Sequence, residues 1–202
     1  PSRPYLQLGV SSNVTYTYDE SRKEGERITS VWVNGKPIDP KGTYSVGSGS
    51  FLIAGRDNFT ELAKGSKPVD SGRISLSAWV DWIKAHKTLK PDFAKRAVSL
   101  TTSLHEGTSR DTTFTLGKPA DKAVAPDTVD FTSKDAVVNT IMKAQIVQDD
   151  KTVDVATTPV KDGWSSVSVK VPTAKGLVSG EATTVFTFPD SGTTVRFAAK
   201  LS

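Results

Sequence analysis

Phe51, Gly55 and Asp57 stand close together in one short stretch, FLIAGRDNF at residues 51–59. A pocket for a nucleoside needs such parts: a ring face on which the base stacks, contributing ~1–3 kcal/mol, and a carboxylate that accepts from ribose hydroxyls. Gly47, Gly49 and Gly55 surround Phe51, and glycine lets a backbone turn sharply or approach a ligand closely. The same residues have a plainer reading, in which Phe51 belongs to a core and Asp57-Asn58 to a turn. The pattern alone leaves both open.

Other chemistries are narrowed by composition. The chain of 202 residues has no cysteine, which removes a disulfide framework, a thiolate zinc site and a cysteine nucleophile together. It has two histidines, His86 and His105, and neither has an acidic or histidine partner at metal-ligand spacing. His86 reads instead as a cation near a helix end, where the dipole favours positive charge. The formal net charge is +4, but basic residues are interspersed with acids, as in residues 20–27, and form no stripe suited to nucleic acid. Residues 1–100 carry 15 Lys and Arg against 10 Asp and Glu, and residues 101–202 carry 11 against 12. Any electrostatic preference for a small anionic ligand therefore lies in the first half. No apolar run approaches the ~20 residues that span a bilayer, so no transmembrane segment is expected.

The elements that would position the FLIAGRDNF stretch are legible on both sides of it. NVTYTYD at 13–19 alternates with the period of a half-buried strand. ITSVWV at 28–33 is β-branched and aromatic and runs into Asn34-Gly35, the signature of a type I′ hairpin. Residues 44–46 read as a further short strand. From Leu76, the residues Trp79, Val80 and Ile83 recur at helical spacing and predict an amphipathic helix, with Trp82 off its stripe and Pro91 beyond its end. AVSL at 97–100 reads as the closing strand of this segment.

After about residue 103 the texture changes to short β-rich runs separated by turn residues. These are TFTL at 113, VDFT at 129, IMKAQIV at 141, TVDVATTPV at 152, WSSVSVKV at 164, TTVFTF at 183 and TVRFAAKL at 194. Residues 134–144 also fit a short helix. Roughly seven strands at this spacing predict an immunoglobulin-like sandwich. The expected organisation is an α+β segment over residues 1–103 followed by an all-β immunoglobulin-like sandwich over residues 104–202, joined by a polar linker near residues 101–110.

The blocks from LQLG at residue 6 through YTYD, ERITSVWVNGKPIDP and GTYSVGSGSFLIAGRDNF closely resemble the later half of the C-terminal domain of the 5′-nucleotidase family. The family pattern there runs approximately LQVSG, YTYD, G-R-I/V, VNGKPIDP, TY-V and a phenylalanine followed by a GGDG-like loop, and the resemblance covers residues 5–100. It implies that Phe51 occupies the position of the family's second base-stacking aromatic, Asp57 that of the acid binding ribose hydroxyls, and Gly55 the first loop glycine. Arg56 and Asn58 stand where the family has further glycines. It also implies that hydrolysis belongs to an N-terminal metallophosphoesterase domain holding two divalent metal ions, whose Asp-x-His and Asn-His-Glu/Asp motifs are not found in this chain. The expectation is a nucleoside-recognising C-terminal fragment of a secreted nucleotidase, extracellular or at the cell surface, with no cofactor of its own and inert alone. An alternative of another class is a structural or adhesive surface module, its nucleotidase-like part degenerate and its sandwich contacting the cell wall.

Overall fold

The computed structural model describes residues 8–105, 111–118, 128–130, 136–170 and 176–201. It is mostly β with few helices. The strands are β1 Val14–Tyr18, β2 Ile28–Val33, β3 Lys36–Pro37, β4 Ala97–His105, β5 Asp111–Leu116, β6 Ile141–Gln148, β7 Lys151–Pro159, β8 Ser165–Lys170, β9 Gly180–Phe188 and β10 Thr193–Leu201; the α-helices are α1 Ser50–Ile53 and α2 Ser75–His86. Two compact units result. One holds Pro40–Pro91 and the other holds Gly9–Asp39 together with the chain from Asp92 onward.

The larger unit contains two sheets, in strand orders β3-β2-β1-β4-β5-β8 and β10-β9-β6-β7. Buried residues alternate with less buried ones along β6, β9 and the start of β10, as a pleated sheet with one buried face requires, whereas β4 is buried at four successive residues, Ala97, Val98, Ser99 and Leu100. Val98, Leu100, Phe114, Leu116, Val167 and Val169 from the first sheet share one core with Met142, Ile146, Phe186, Phe188 and Val195 from the second. The Phe114 and Phe186 ring centroids lie 5.1 Å apart across it.

β1 and β2 form an antiparallel pair in which Tyr16 faces Val31. Asn34 and Gly35 take φ of 53° and 73°, the two left-handed positions of a type I′ turn, and β3 follows at once. The pair then joins the rest of the sheet by a parallel contact of β1 with β4, registering Tyr16, Thr17 and Tyr18 against Ala97, Val98 and Ser99. The Thr17 hydroxyl, buried at this junction, shares hydrogen bonds with the hydroxyls of Thr29 and Ser30 at 2.7 and 2.8 Å. Ser30 also donates to the Arg196 carbonyl on β10 at 3.3 Å.

The strands expected at 113, 141, 152, 164, 183 and 194 are present with boundaries shifted by a residue or a few. VDFT differs: Val129 and Asp130 are not strand, and its last two residues lie outside the described set, as do 134 and 135 of the ambiguous stretch. Residues 141–144 of that stretch are strand, paired with β7 throughout and with β9 from Lys143 onward. Val129 instead packs in the core while its amide donates to the Gly163 carbonyl at 2.7 Å. Gly163 has φ of 76°, and a Cβ there would collide with the Thr128 side chain, so the close approach needs glycine. The boundary expected at 103/104 falls inside β4, a strand hydrogen-bonded to β1 on one side and β5 on the other. Residues 44–46 are not strand. Val46 is largely exposed, and no described strand pairs with this stretch, which removes what would hold it extended.

A polar brace closes one end of the larger unit. Buried Asn139 donates through Nδ2 to the Val129 carbonyl at 3.1 Å and to Asp130 Oδ1 at 2.8 Å, and accepts from the Ser191 amide at 3.2 Å. Beside it the Thr140 amide and hydroxyl both donate to Asp190 Oδ2, at 2.7 and 2.8 Å. These two bonds hold the Asp190 carboxyl below its ordinary range. A carboxyl depressed by folding contributes stability above its unfolded pKa of ~3.9 and loses it as pH falls through the folded value. Asp190→Asn is therefore expected to be less stable than the native chain at neutral pH, the gap closing below about pH 4. Urea midpoints at a series of pH values check this; a gap constant down to pH 2 would contradict it.

Candidate functional site

The FLIAGRDNF stretch lies wholly in the Pro40–Pro91 unit. Its local folding follows from main-chain closure. The Leu52 and Ile53 amides donate to the Gly49 carbonyl, opening α1, and the Gly55 amide donates to the Leu52 carbonyl at 2.9 Å, ending it. Gly55 takes φ of 75°, the left-handed conformation that commonly terminates a helix. A Cβ at Gly55 would stand 3.1 Å from the Ala63 Cβ and 3.4 Å from the Thr60 Cα. Conformation favours glycine here, and the space beside it is tight. A 3-10 turn over Arg56–Asn58 follows, with Asp57 and Asn58 at φ of 52° and 67°. Both residue types tolerate this region better than others.

The loop accommodates Arg56 and Asn58 where the family pattern has glycines. The left-handed positions are taken by Gly55, Asp57 and Asn58, and Arg56 is not among them, so the two departures from the glycine-rich pattern fit the loop without backbone strain at Arg56. Phe51 on α1 is 57% exposed, and the Asp57 and Arg56 side chains are exposed as well. Among the described residues none hydrogen-bonds the Asp57 carboxylate. A ring face and an acid are thus both exposed on one locally closed loop. Phe51 accordingly differs from a core residue in this chain.

α2 forms where the periodicity places it, and its last turn carries Lys84 and His86. The His86 ring stacks on Trp82 with centroids 4.0 Å apart, and its Nδ1 lies 2.8 Å from the Trp82 carbonyl oxygen. This contact was hidden in the sequence, although an aromatic and a histidine four residues apart on a helix are neighbours. It occupies the only described histidine side chain in a role within its own helix. Among the described residues no group of three or more His, Cys, Asp or Glu side chains is arranged to hold a metal ion. The described residues therefore offer no set that fits the pair of divalent ions implied by the resemblance to the 5′-nucleotidase family. No helix among them is long and apolar enough to cross a membrane.

Comparison with known proteins bears on the same part of the chain. The chain is 34% identical over 97 residues to a 5′-nucleotidase-related protein of Glossina morsitans morsitans, covering 44% of this chain and 17% of that protein. It is 30% identical over 81 residues to an apyrase of Tabanus yao, covering 36% of this chain and 15% of that protein. The chain thus spans about a sixth of the length of these curated relatives. Residues 1–64, which include Phe51, Gly55 and Asp57, match the family model of the 5′-nucleotidase C-terminal domain.

Proposed function

We propose that this chain is the nucleoside-recognising, C-terminal portion of a secreted, metal-dependent 5′-nucleotidase or related nucleotide phosphohydrolase. Phe51 stacks the base, Asp57 accepts from the ribose hydroxyls, and Gly55 gives the loop its turn. The observation that carries this reading is the coincidence of the family match over residues 1–64 with an exposed aromatic and an exposed acid on one locally closed loop. Phosphate-ester cleavage belongs to a metal-bearing part beyond this chain, since the described residues offer no ligand set. The isolated chain is expected to release no phosphate from nucleotides with or without added divalent metal, because no set among the described residues would hold a metal ion and lower the pKa of an attacking water. Metal-dependent release by a rigorously purified sample would refute that.

Isothermal titration of the complete polypeptide carrying this chain tests the recognition role. Nucleosides should bind with a strength that depends on the base, and free ribose should bind far more weakly. Equal affinity for both, or none for either, would count against a nucleoside pocket.

A second reading is favoured by one observation: residues beyond the family match build most of the two-sheet unit. Its support is that two sheets, ordered β3-β2-β1-β4-β5-β8 and β10-β9-β6-β7, share one core, as the two sheets of an immunoglobulin-like sandwich also do. In this reading the unit is a cell-surface module contacting wall polymer. Retention on wall polymer together with no nucleoside binding would favour it.

A further inference from the structure

α2 turns an apolar face outward along its whole length. Leu76 is 72% exposed and Trp79 63%, while Val80 and Ile83 on the same face are 38% and 42% exposed. Trp82 flanks them, its ring edge-on to Trp79 with centroids 6.2 Å apart. None of the helical residues between Ser50 and His86 is buried. An isolated helix of 12 residues is marginal in water and takes its stability from burying its apolar stripe. A contiguous exposed stripe of this kind marks an interaction surface.

We infer that this face of α2 is the docking surface for a further 5′-nucleotidase-type polypeptide segment, one that completes the Pro40–Pro91 unit. The inference rests on the nucleotidase reading given above. Two observations select this occupant. The unit that bears α2 also bears residues 40–64 of the family match, and about five-sixths of each matched relative lies outside the aligned part. A lipid surface is disfavoured by charge. An interfacial helix carries lysines and arginines along its polar face, whereas α2 offers Lys84 there and an Asp81 already bonded by Arg73. Ser77, Ala78 and Ala85 make up the rest of that side.

The test compares this chain with the complete polypeptide encoded by the same reading frame, by hydrogen exchange of the amides over residues 75–86. Exchange in the isolated chain should be fast, and in the complete polypeptide slower by on the order of 100-fold or more. Trp79→Ser and Ile83→Ser should lower the Tm of the complete polypeptide while leaving that of the isolated chain unchanged. Equal exchange in the two samples would overturn the inference, as would a reading frame with no nucleotidase-type segment. Dimerisation of the isolated chain by sedimentation with α2 protected would assign the face to a second copy. Co-sedimentation with phosphatidylcholine–phosphatidylserine vesicles would assign it to a membrane. Either outcome overturns the proposal. Its fate is separable from that of the nucleoside pocket: α2 protected without base-dependent binding sinks the pocket alone, and base-dependent binding with α2 unprotected sinks the docking face alone.

Discussion

Phe186→Ala should destabilise the two-sheet unit by about 3–5 kcal/mol, the cost of removing a fully buried phenylalanine from a packed core and leaving a cavity behind. Phe186 is fully buried and packs its ring against Phe114 of the opposite sheet. The lost ring contact adds to the lost burial. For a unit of this size the shift in Tm should be on the order of 10 °C, read by thermal unfolding of the isolated chain. If the two sheets did not share their core, Phe186 would face little more than its own strand neighbours. Truncation would then cost about 1 kcal/mol, the typical single-substitution value. Phe114→Ala in combination with Phe186→Ala separates the pair from its parts: two side chains in direct contact should give a non-additive sum. Strict additivity would mean that the rings do not pack on each other.

Periodicity located almost every strand of that core but misplaced its outline. Val98 and Leu100 alternate with Ser99 and Thr101 in the way any half-buried strand does, so AVSL reads equally well as the end of one sheet or the start of another. What decides between them is pairing. β4 takes β5 as its antiparallel neighbour and β1 as its parallel one, and the partners β1 and β4 are some eighty residues apart with nothing in either strand to name the other. Parallel contacts need such long connections and leave no local turn signature. The Asn34-Gly35 hairpin is the opposite case, because both left-handed positions are written in adjacent residues.

The helical part shows a different limit. The spacing of Leu76, Trp79, Val80 and Ile83 was sufficient to place α2, but a stripe says only that a face is apolar, not what lies against it. Residues 44–46 fail for a related reason: a short stretch with strand-favouring Tyr44 and Val46 becomes strand only beside a partner edge. In the loop, Gly55 was legible as a turn glycine, whereas the positive φ at Asp57 and Asn58 depends on the hydrogen-bonded closure between α1 and the following 3-10 turn. That closure could not be read from residue types.

Phe51→Ala in the complete polypeptide should raise KM for nucleotides by about 5- to 150-fold, the equivalent of the ~1–3 kcal/mol that an aromatic contributes by stacking on a base. A phosphate ester lacking a base should be turned over as before, since it never used the ring. Asp57→Ala should weaken ribonucleotides more than dideoxy analogues, because only the former offer hydroxyls that would be left unpaired. The structure sharpens the contrast with a purely structural Phe51. A ring more than half exposed in this chain leaves no core cavity when truncated, so the isolated chain carrying Phe51→Ala should unfold within a degree or two of the native one, consistent with the ±0.5 kcal/mol typical of surface substitutions. Asp57 needs its own control, because its left-handed backbone makes alanine there strained for a reason unrelated to ligand. Asp57→Asn keeps a residue tolerant of that conformation and removes the carboxylate charge. Loss of ribose discrimination in Asp57→Asn with an unchanged Tm assigns the effect to the carboxylate, whereas equal losses on nucleotide and base-free substrates, with a fall in Tm for either variant, would remove this loop from the binding site.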